Sequence, residues 1–143
     1  MKIEWLISGK KPSWEEENYR TGGYVYTTYA RRILREHYEL SVTYLPRGNA
    51  ASPLKRIIQF AAFLNRCRRF QYKGDIVFRD VYTTAFAPFD STHKHIVILH
   101  HLDPREFSSK AVSGLVIRRF FRNVRRADKV VVVSEYWKNV MEK

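Results

Sequence analysis

The feature that most constrains this chain is an alternation of short apolar stretches with longer helical patterns. Three stretches contain few polar residues: DIVFR at residues 75–79, HIVIL at residues 95–99 and KVVVV at residues 129–133. Continuous apolar runs are typical of parallel strands that helices cover on both faces. With right-handed crossovers, the alternation predicts an α/β fold, a doubly wound, mainly parallel, Rossmann-like sheet with helices on both faces.

Periodicity and turn-forming residues predict the remaining elements. Residues 9–21 are predicted as a long loop, and residues 80–94 as an irregular stretch with a short helix. The chain of 143 residues is long enough for one domain with its own core, so residues 1–143 are predicted to form a single domain. The predicted strands are residues 2–8, 40–45, 75–79, 95–99 and 129–133, and the predicted helices are residues 22–37, 54–72, 106–126 and 135–142.

Composition restricts the function classes. Cys67 is the only cysteine, which excludes an internal disulfide and a cysteine-based metal cluster. A chain without disulfides fits a reducing compartment, so we predict a cytoplasmic location. No apolar run approaches the roughly 18 residues that a membrane-spanning helix needs. The formal charge of +12 favours anionic partners: nucleic acid, acidic lipid or phosphorylated small molecules.

Ligands of doubly wound sheets bind where the strands end at their carboxyl termini. Periodicity alone predicts which residues lie at that edge, and a functional site is expected among them. They are Ser8, Gly9, Pro46, Arg47, Arg79, Asp80, His100, His101, Ser134 and Glu135.

Three local patterns, in this order, carry a resemblance to a known family. The first is GGYVY at residues 22–26, followed by a helix and a β-rich strand. The second is DIVF at residues 75–78, followed by a strand that ends in HHLDP at residues 100–104. The third is ADKVVVVS at residues 127–134. Over its whole length the chain resembles the N-terminal, acceptor-side domain of retaining GT-B glycosyltransferases of family 4, also called glycosyl transferases group 1.

The resemblance implies an enzyme that moves a sugar from a nucleotide-sugar to an acceptor with retention of configuration. It assigns Gly22 and Gly23 to the loop that faces the donor diphosphate, where a helix N-terminus favours phosphate. The alternative for the glycine pair is a flexible turn before a helix. No cofactor is expected, since the nucleotide-sugar is a substrate, and no metal site is predicted.

The histidines after the fourth strand are the predicted catalytic residues. His100 aligns best with the family histidine near the transferred sugar, and His101 is the fallback; a structural histidine is the alternative. A metal site is the weaker interpretation, because adjacent residues of a strand end point apart. Four further residues are predicted to bind the acceptor: Asp80, Asp103, Ser134 and Arg47. For Asp80, Asp103 and Ser134 the alternative is a cap of a helix or turn.

The family's second domain, which holds the nucleotide-sugar and an acidic pair spaced E-x7-E, has no counterpart in the 143 residues. The expected partner is therefore a C-terminal GT-B domain, supplied in cis or in trans, and we expect the chain to be inactive without it. A non-catalytic adaptor that binds a sugar, a lipid or a protein is the alternative. A nucleic-acid-binding module is disfavoured, because no zinc finger, RRM signature or KH loop is present.

Two predicted helices are rich in cations and apolar residues and contain no acid between residues 54 and 73 or 118 and 126. One hypothesis is peripheral docking on the anionic inner face of the membrane, with exposed aromatic side chains inserted at the interface. The alternative is a pair of ordinary amphipathic helices with solvated cationic faces. The predicted docking residues are Lys55, Arg56, Arg66, Arg68, Arg69, Arg118, Arg119 and Arg122.

Overall fold

The structure, a computed structural model, describes residues 1–9, 22–48, 52–100, 102 and 110–142. Strands and helices alternate along these residues, as the sequence predicts. The elements are β1 (Lys2–Ser8), α1 (Gly22–His37), β2 (Glu39–Leu45), α2 (Pro53–Arg68), β3 (Ile76–Arg79), α3 (Val81–Phe86), β4 (Lys94–Leu99), α4 (Lys110–Val124), β5 (Lys129–Val132) and α5 (Glu135–Met141).

The five strands form one sheet in the order β2-β1-β3-β4-β5, and every neighbouring pair is parallel. The predicted doubly wound α/β fold is therefore confirmed. The chain moves from β1 to β2 in one direction and then crosses to β3 on the other side of β1. The switch point of the sheet, where ligands of such folds bind, thus lies between the carboxyl ends of β1 and β3.

Helices α2, α3 and α4 cover one face of the sheet and build the main core. Val116, Phe120 and Val124 of α4 pack with Val97 and Leu99 of β4. A neighbouring cluster contains Phe63 and Cys67 of α2 together with Leu45 of β2 and Ala87. Both clusters follow from one rule, because strand side chains alternate between faces and each helix presents its apolar stripe.

On the other face, α1 is the helix that packs against the sheet within the described residues. Nη1 of Arg31 donates a hydrogen bond to the hydroxyl of Tyr44 in β2, at 3.0 Å. Trp5 and Phe78 stack on this face with ring centroids 4.9 Å apart. The placement follows from the strand order, since a right-handed crossover from β1 to β2 puts α1 opposite the helices that cross the other way.

Some predicted boundaries move. The short helix predicted within residues 80–94 is present as α3, but α2 ends at Arg68 and not at residue 72. The amide of Phe70 bonds to the carbonyl of Cys67 at 3.2 Å, which tightens the last turn. Residues 10–21 and 106–109, parts of the predicted loop and of the predicted fourth helix, lie outside the described residues. None of the described helices is both long and apolar enough to cross a bilayer.

A buried glutamate joins three segments at the amino end of the sheet. Glu4 of β1 is 1% exposed, accepts from the hydroxyl of Thr43 at 3.0 Å, and accepts from the amide of Lys73 at 2.8 Å. The adjoining Gly74 passes so close that an added Cβ would lie 2.6 Å from the amide nitrogen of Glu4. The buried carboxylate is therefore satisfied by two donors from different segments, as a buried polar group requires.

Replacing Glu4 with alanine should destabilise the fold, because the Thr43 hydroxyl and the Lys73 amide lose their acceptor in a buried site. We expect a loss of about 2 to 3 kcal/mol in the free energy of unfolding, measured by urea denaturation. Glu39→Ala is the matched control: this carboxylate forms an exposed ion pair with Lys2 at 3.5 Å, so its loss should cost less than about 0.5 kcal/mol. Equal effects of the two substitutions would contradict this assignment.

Candidate functional site

His100, the first residue after β4, contacts helix α1 across the carboxyl edge of the sheet. Its Nε2 lies 3.0 Å from Oγ1 of Thr27, and its ring meets the ring of Tyr26 edge-on at 5.2 Å between centroids. His100 as a whole is half-buried, and its ring contacts α1. The predicted catalytic histidine is thus held by two consecutive residues of the helix that the glycine pair begins.

The glycine pair lies at the same edge. Helix α1 begins at Gly22 and its first turn contains no acidic side chain. Thr27 is five residues further on, so about 7.5 Å of helix axis separates it from Gly22. The first amide groups of α1 have no partner within their own helix, and the helix dipole adds positive potential there. The residue that contacts the His100 imidazole therefore lies about 1.4 helical turns from the start of α1.

Asp80 occupies the switch point between β1 and β3. Its Oδ2 accepts from the amide of Ser8 at 2.5 Å, and its Oδ1 accepts from the amide of Thr83 at 2.8 Å. The Thr83 hydroxyl in turn accepts from the amide of Asp80 at 3.0 Å, which completes a reciprocal cap on α3. Both carboxylate oxygens are thus engaged in holding the ends of β1 and α3, which supports the capping alternative for this residue.

Arg47 follows β2 and turns toward α3. Its guanidinium carbon lies 3.8 Å from the centroid of the Tyr82 ring, a cation–π contact. Its Nε is buried, and among the described residues it has no hydrogen-bond partner. Arg47 therefore adds a fixed positive charge on the α2–α4 side of the edge, whereas His100 contacts α1 on the other side.

Ser134 lies further along the same edge, at the end of the outermost strand. It is exposed and caps α5, with its Oγ accepting from the amide of Trp137 at 3.4 Å. Strands β4 and β3 separate β5 from the switch point, so Ser134 is about 12 Å from it across the sheet. The capping alternative describes what its side chain does. His101 and Asp103, the other predicted site residues here, lie outside the described residues.

Arg79, which the sequence places at the carboxyl edge next to the switch point, is instead a buried residue that stabilises the fold. Arg79 is fully buried; its guanidinium donates to the carbonyls of Ala87 and Pro88 and to the Tyr72 hydroxyl, and lies 3.8 Å from the Phe89 ring. Burial lowers the pKa of Arg79 to about 10, so it remains charged at neutral pH. The cation fixes the segment that links α3 to β4.

His95 belongs to the same buried cluster. It is 1% exposed and packs between the rings of Tyr72 and Phe89, with centroids 5.2 and 4.8 Å away. Burial, and secondly the charge of Arg79, lower the pKa of His95 to about 4. The imidazole is therefore neutral at pH 7 and acts as an aromatic core residue.

Sequence reasoning missed several members of these clusters. Thr27 and Tyr26 contact His100, yet nothing in the spacing of α1 and β4 predicts that meeting. Glu4 did carry a signal, because it interrupts an otherwise apolar strand. Among the described residues, no group of three His, Cys, Asp or Glu side chains comes together as a metal site.

In comparisons with known proteins, no protein family, no curated protein and no solved structure matches the chain. The fold and the edge define an α/β protein of the doubly wound class, with a histidine and a helix terminus beside its switch point.

The two capping residues of this edge should differ in their contribution to stability. Asp80→Ala removes acceptors from the amides of Ser8 and Thr83, and we expect the free energy of unfolding to fall by about 2 kcal/mol. Ser134→Ala removes one long, exposed bond at α5 and should cost about 0.5 kcal/mol. Urea denaturation of both variants measures this. A cost for Asp80→Ala as small as that for Ser134→Ala would refute the structural role of Asp80.

His95 should make the fold sensitive to acid. Its folded-state pKa of about 4 lies below the ordinary value of 6.5, so the unfolded chain binds the proton more readily. This contribution to stability is complete above pH 6.5 and is lost as the pH falls toward 4. Between pH 7.5 and pH 5 we expect a loss of about 2 kcal/mol from this residue.

The variant His95→Phe isolates that contribution, because phenylalanine fits among the same rings and does not titrate. Urea denaturation at pH 7.5 and pH 5 should show the wild-type chain losing about 2 kcal/mol more than the variant. If both chains lose stability equally over this range, His95 is not the residue responsible.

Proposed function

We propose that the chain is the acceptor-side domain of a retaining GT-B glycosyltransferase, which moves a sugar from a nucleotide-sugar to an acceptor. The contact between Nε2 of His100 and Oγ1 of Thr27, at 3.0 Å, is the observation that carries the proposal. It joins the strand-end histidine to the helix that starts with Gly22 and Gly23. The resemblance of the GGYVY and HHLDP segments to that family agrees with this arrangement.

In the proposed reaction, the amides at the start of α1 receive the donor's diphosphate. Amides without a partner in their own helix, together with the helix dipole, stabilise negative charge there, and this charge grows as the nucleoside diphosphate leaves. The imidazole of His100 contacts α1 five residues from this position, and its Nε2 would exchange the Thr27 hydroxyl for a hydroxyl of the transferred sugar. Both groups are held by packed elements, so they need little rearrangement as the charge develops.

The acceptor would lie along the edge between the switch point and β2. Arg47, fixed over Tyr82, supplies a positive charge there. Asp80 shapes this region through its bonds to Ser8 and Thr83, and is a positioning residue in this proposal.

A C-terminal GT-B domain, in cis or in trans, would supply the binding site for the donor's nucleotide and the family's acidic pair. We place the reaction in the cytoplasm, where a lone buried thiol with no disulfide partner is usual.

Nuclear magnetic resonance of the isolated chain tests the donor site without needing turnover. Titration with UDP-glucose, GDP-mannose or inorganic pyrophosphate should shift the amide signals of Gly22, Gly23, Thr27 and His100 first. His100→Ala should weaken the affinity for the nucleotide-sugar about tenfold, the effect of losing one hydrogen bond to a polar ligand. His37→Ala, at the exposed far end of α1, is the matched control.

Shifts centred elsewhere, or equal affinities of the His100 and His37 variants, would contradict the proposed site. A transfer assay then separates an enzyme from an adaptor. The chain is mixed with a separately expressed nucleotide-sugar-binding half, and a labelled donor is added. Transfer that His100→Ala abolishes supports the enzyme; binding at Gly22 and Thr27 without transfer supports an adaptor.

A further inference from the structure

Helix α2 carries an exposed apolar stripe that the core does not use. Leu54 is 67% exposed, Ile57 is 67% exposed and Ile58 is 59% exposed. With the exposed Ala61 they are spaced i, i+3, i+4 and i+7, so they form one continuous stripe on the helix. The buried side chains of α2, Phe63 and Cys67, lie on the opposite side of the helix.

The same stripe turns cationic toward the end of the helix. Asn65 and Arg68 continue it at helical spacing, and Arg69 and Lys55 flank it; all four are exposed. Residues 53–73 contain no acidic residue. Over about 21 Å from Leu54 to Arg68, the outer surface of α2 therefore changes from aliphatic to positively charged.

Helix α4 extends this charge on the same face of the sheet. Arg118 and Arg122 are exposed on it, and residues 110–126 contain no acid. The two helices are linked through Phe86 of α3, whose ring packs on Phe60 at 5.6 Å and lies 5.4 Å from the guanidinium of Arg119. The cations of α2 and α4 thus belong to one surface, here called the basic face.

The structure corrects two details of the membrane-docking hypothesis: which apolar groups are available for insertion and which cations are exposed. Phe60 and Phe63 pack inward against α3, so the groups available for insertion are aliphatic and not aromatic. Of the eight cations predicted for docking, Arg56 and Arg119 are half-buried, and the other six are exposed.

We propose that the basic face is a peripheral docking surface for an anionic lipid bilayer, with Leu54, Ile57 and Ile58 inserted among the acyl chains near the headgroups. An aliphatic stripe bordered by Lys and Arg matches a membrane interface, which is apolar inside and negatively charged outside. A second copy of this chain does not match, because its own basic face would repel the first at a net charge of +12 each. Nucleic acid would use the cations but leave the aliphatic stripe in water.

Insertion can be measured at a chosen residue, because the native thiol is protected. Cys67 is buried, and burial raises its pKa to about 12, so it reacts slowly with thiol reagents. Ile58→Cys can therefore be labelled selectively with the environment-sensitive dye NBD. The matched control is Ile33→Cys on α1, which is 56% exposed and lies on the other side of the sheet.

Vesicles of phosphatidylcholine alone, or mixed in equal parts with phosphatidylglycerol, are then added to both labelled chains. The dye at residue 58 should brighten and shift to the blue with phosphatidylglycerol vesicles, and the dye at residue 33 should not. Duplex DNA should leave both dyes unchanged. Equal responses at the two residues, or no response at residue 58 while the chain sediments with the vesicles, would overturn the proposal.

Vesicle sedimentation with unlabelled variants tests the same surface in a second way. Ile57→Gln combined with Ile58→Gln should reduce partitioning onto phosphatidylglycerol vesicles at least tenfold, whereas Ile33→Gln should leave it unchanged. Because these side chains are exposed, their replacement should not unfold the chain, and circular dichroism checks this. If the double variant binds vesicles as well as wild type and added salt alone releases it, the surface recognises polyanions by charge and the bilayer proposal fails. This test is independent of the proposed sugar transfer.

Discussion

The arrangement of this molecule depends on the parallel pairing of β1 with β3, because the chain reverses its direction of travel across the sheet at that pair. Two aspartates hold its ends. Asp75 accepts from the amide of Lys2 at 2.7 Å at the amino end, and Asp80 accepts from the amide of Ser8 at 2.5 Å at the carboxyl end. Parallel pairs have slanted, evenly spaced hydrogen bonds and leave amides at their ends to be satisfied by other groups. Here Asp75 and Asp80, which flank β3, accept hydrogen bonds from the end amides of β1.

The two faces of the sheet differ in what packs against them. The face under α2, α3 and α4 contains the apolar clusters and the buried Arg79. The other face carries α1, whose first residues lie next to the end of β4. His100 and its contacts Tyr26 and Thr27 therefore lie on the less crowded face, while the apolar clusters that stabilise the sheet lie on the opposite one.

The arginines of the α2–α4 side fall into two groups, one buried and one exposed. Arg79 is buried, and carbonyl groups and aromatic rings of the segment before β4 stabilise its charge. By contrast, Arg68 on α2 and Arg118 and Arg122 on α4 are exposed on the outside of these helices. A fold that needs one buried cation for its own stability, and carries many more on one surface, has charge available for a partner.

The sequence by itself determined the class of fold. Uninterrupted apolar runs such as HIVIL can only be satisfied by burial on both faces, and right-handed crossovers then leave few arrangements of the strands. The same rules correctly predicted which residues end the strands, including Ser8, Asp80 and His100, because strand direction in a parallel sheet fixes the edge. Boundaries were less certain, as the early end of α2 shows.

Only the tertiary structure decided which of those edge residues meet and what each side chain does. Asp80 and Ser134 appear alike in sequence, yet one ties β1 to α3 and the other caps an exposed helix. Thr27 reaches His100 although 73 residues separate them, since their distance depends on how α1 crosses the sheet. Likewise, the cations and aliphatic residues of α2 are interleaved in the sequence. The rotation of the helix against α3 determines that Phe63 faces inward while Ile57 and Ile58 face water, because packing can satisfy only one side of a helix.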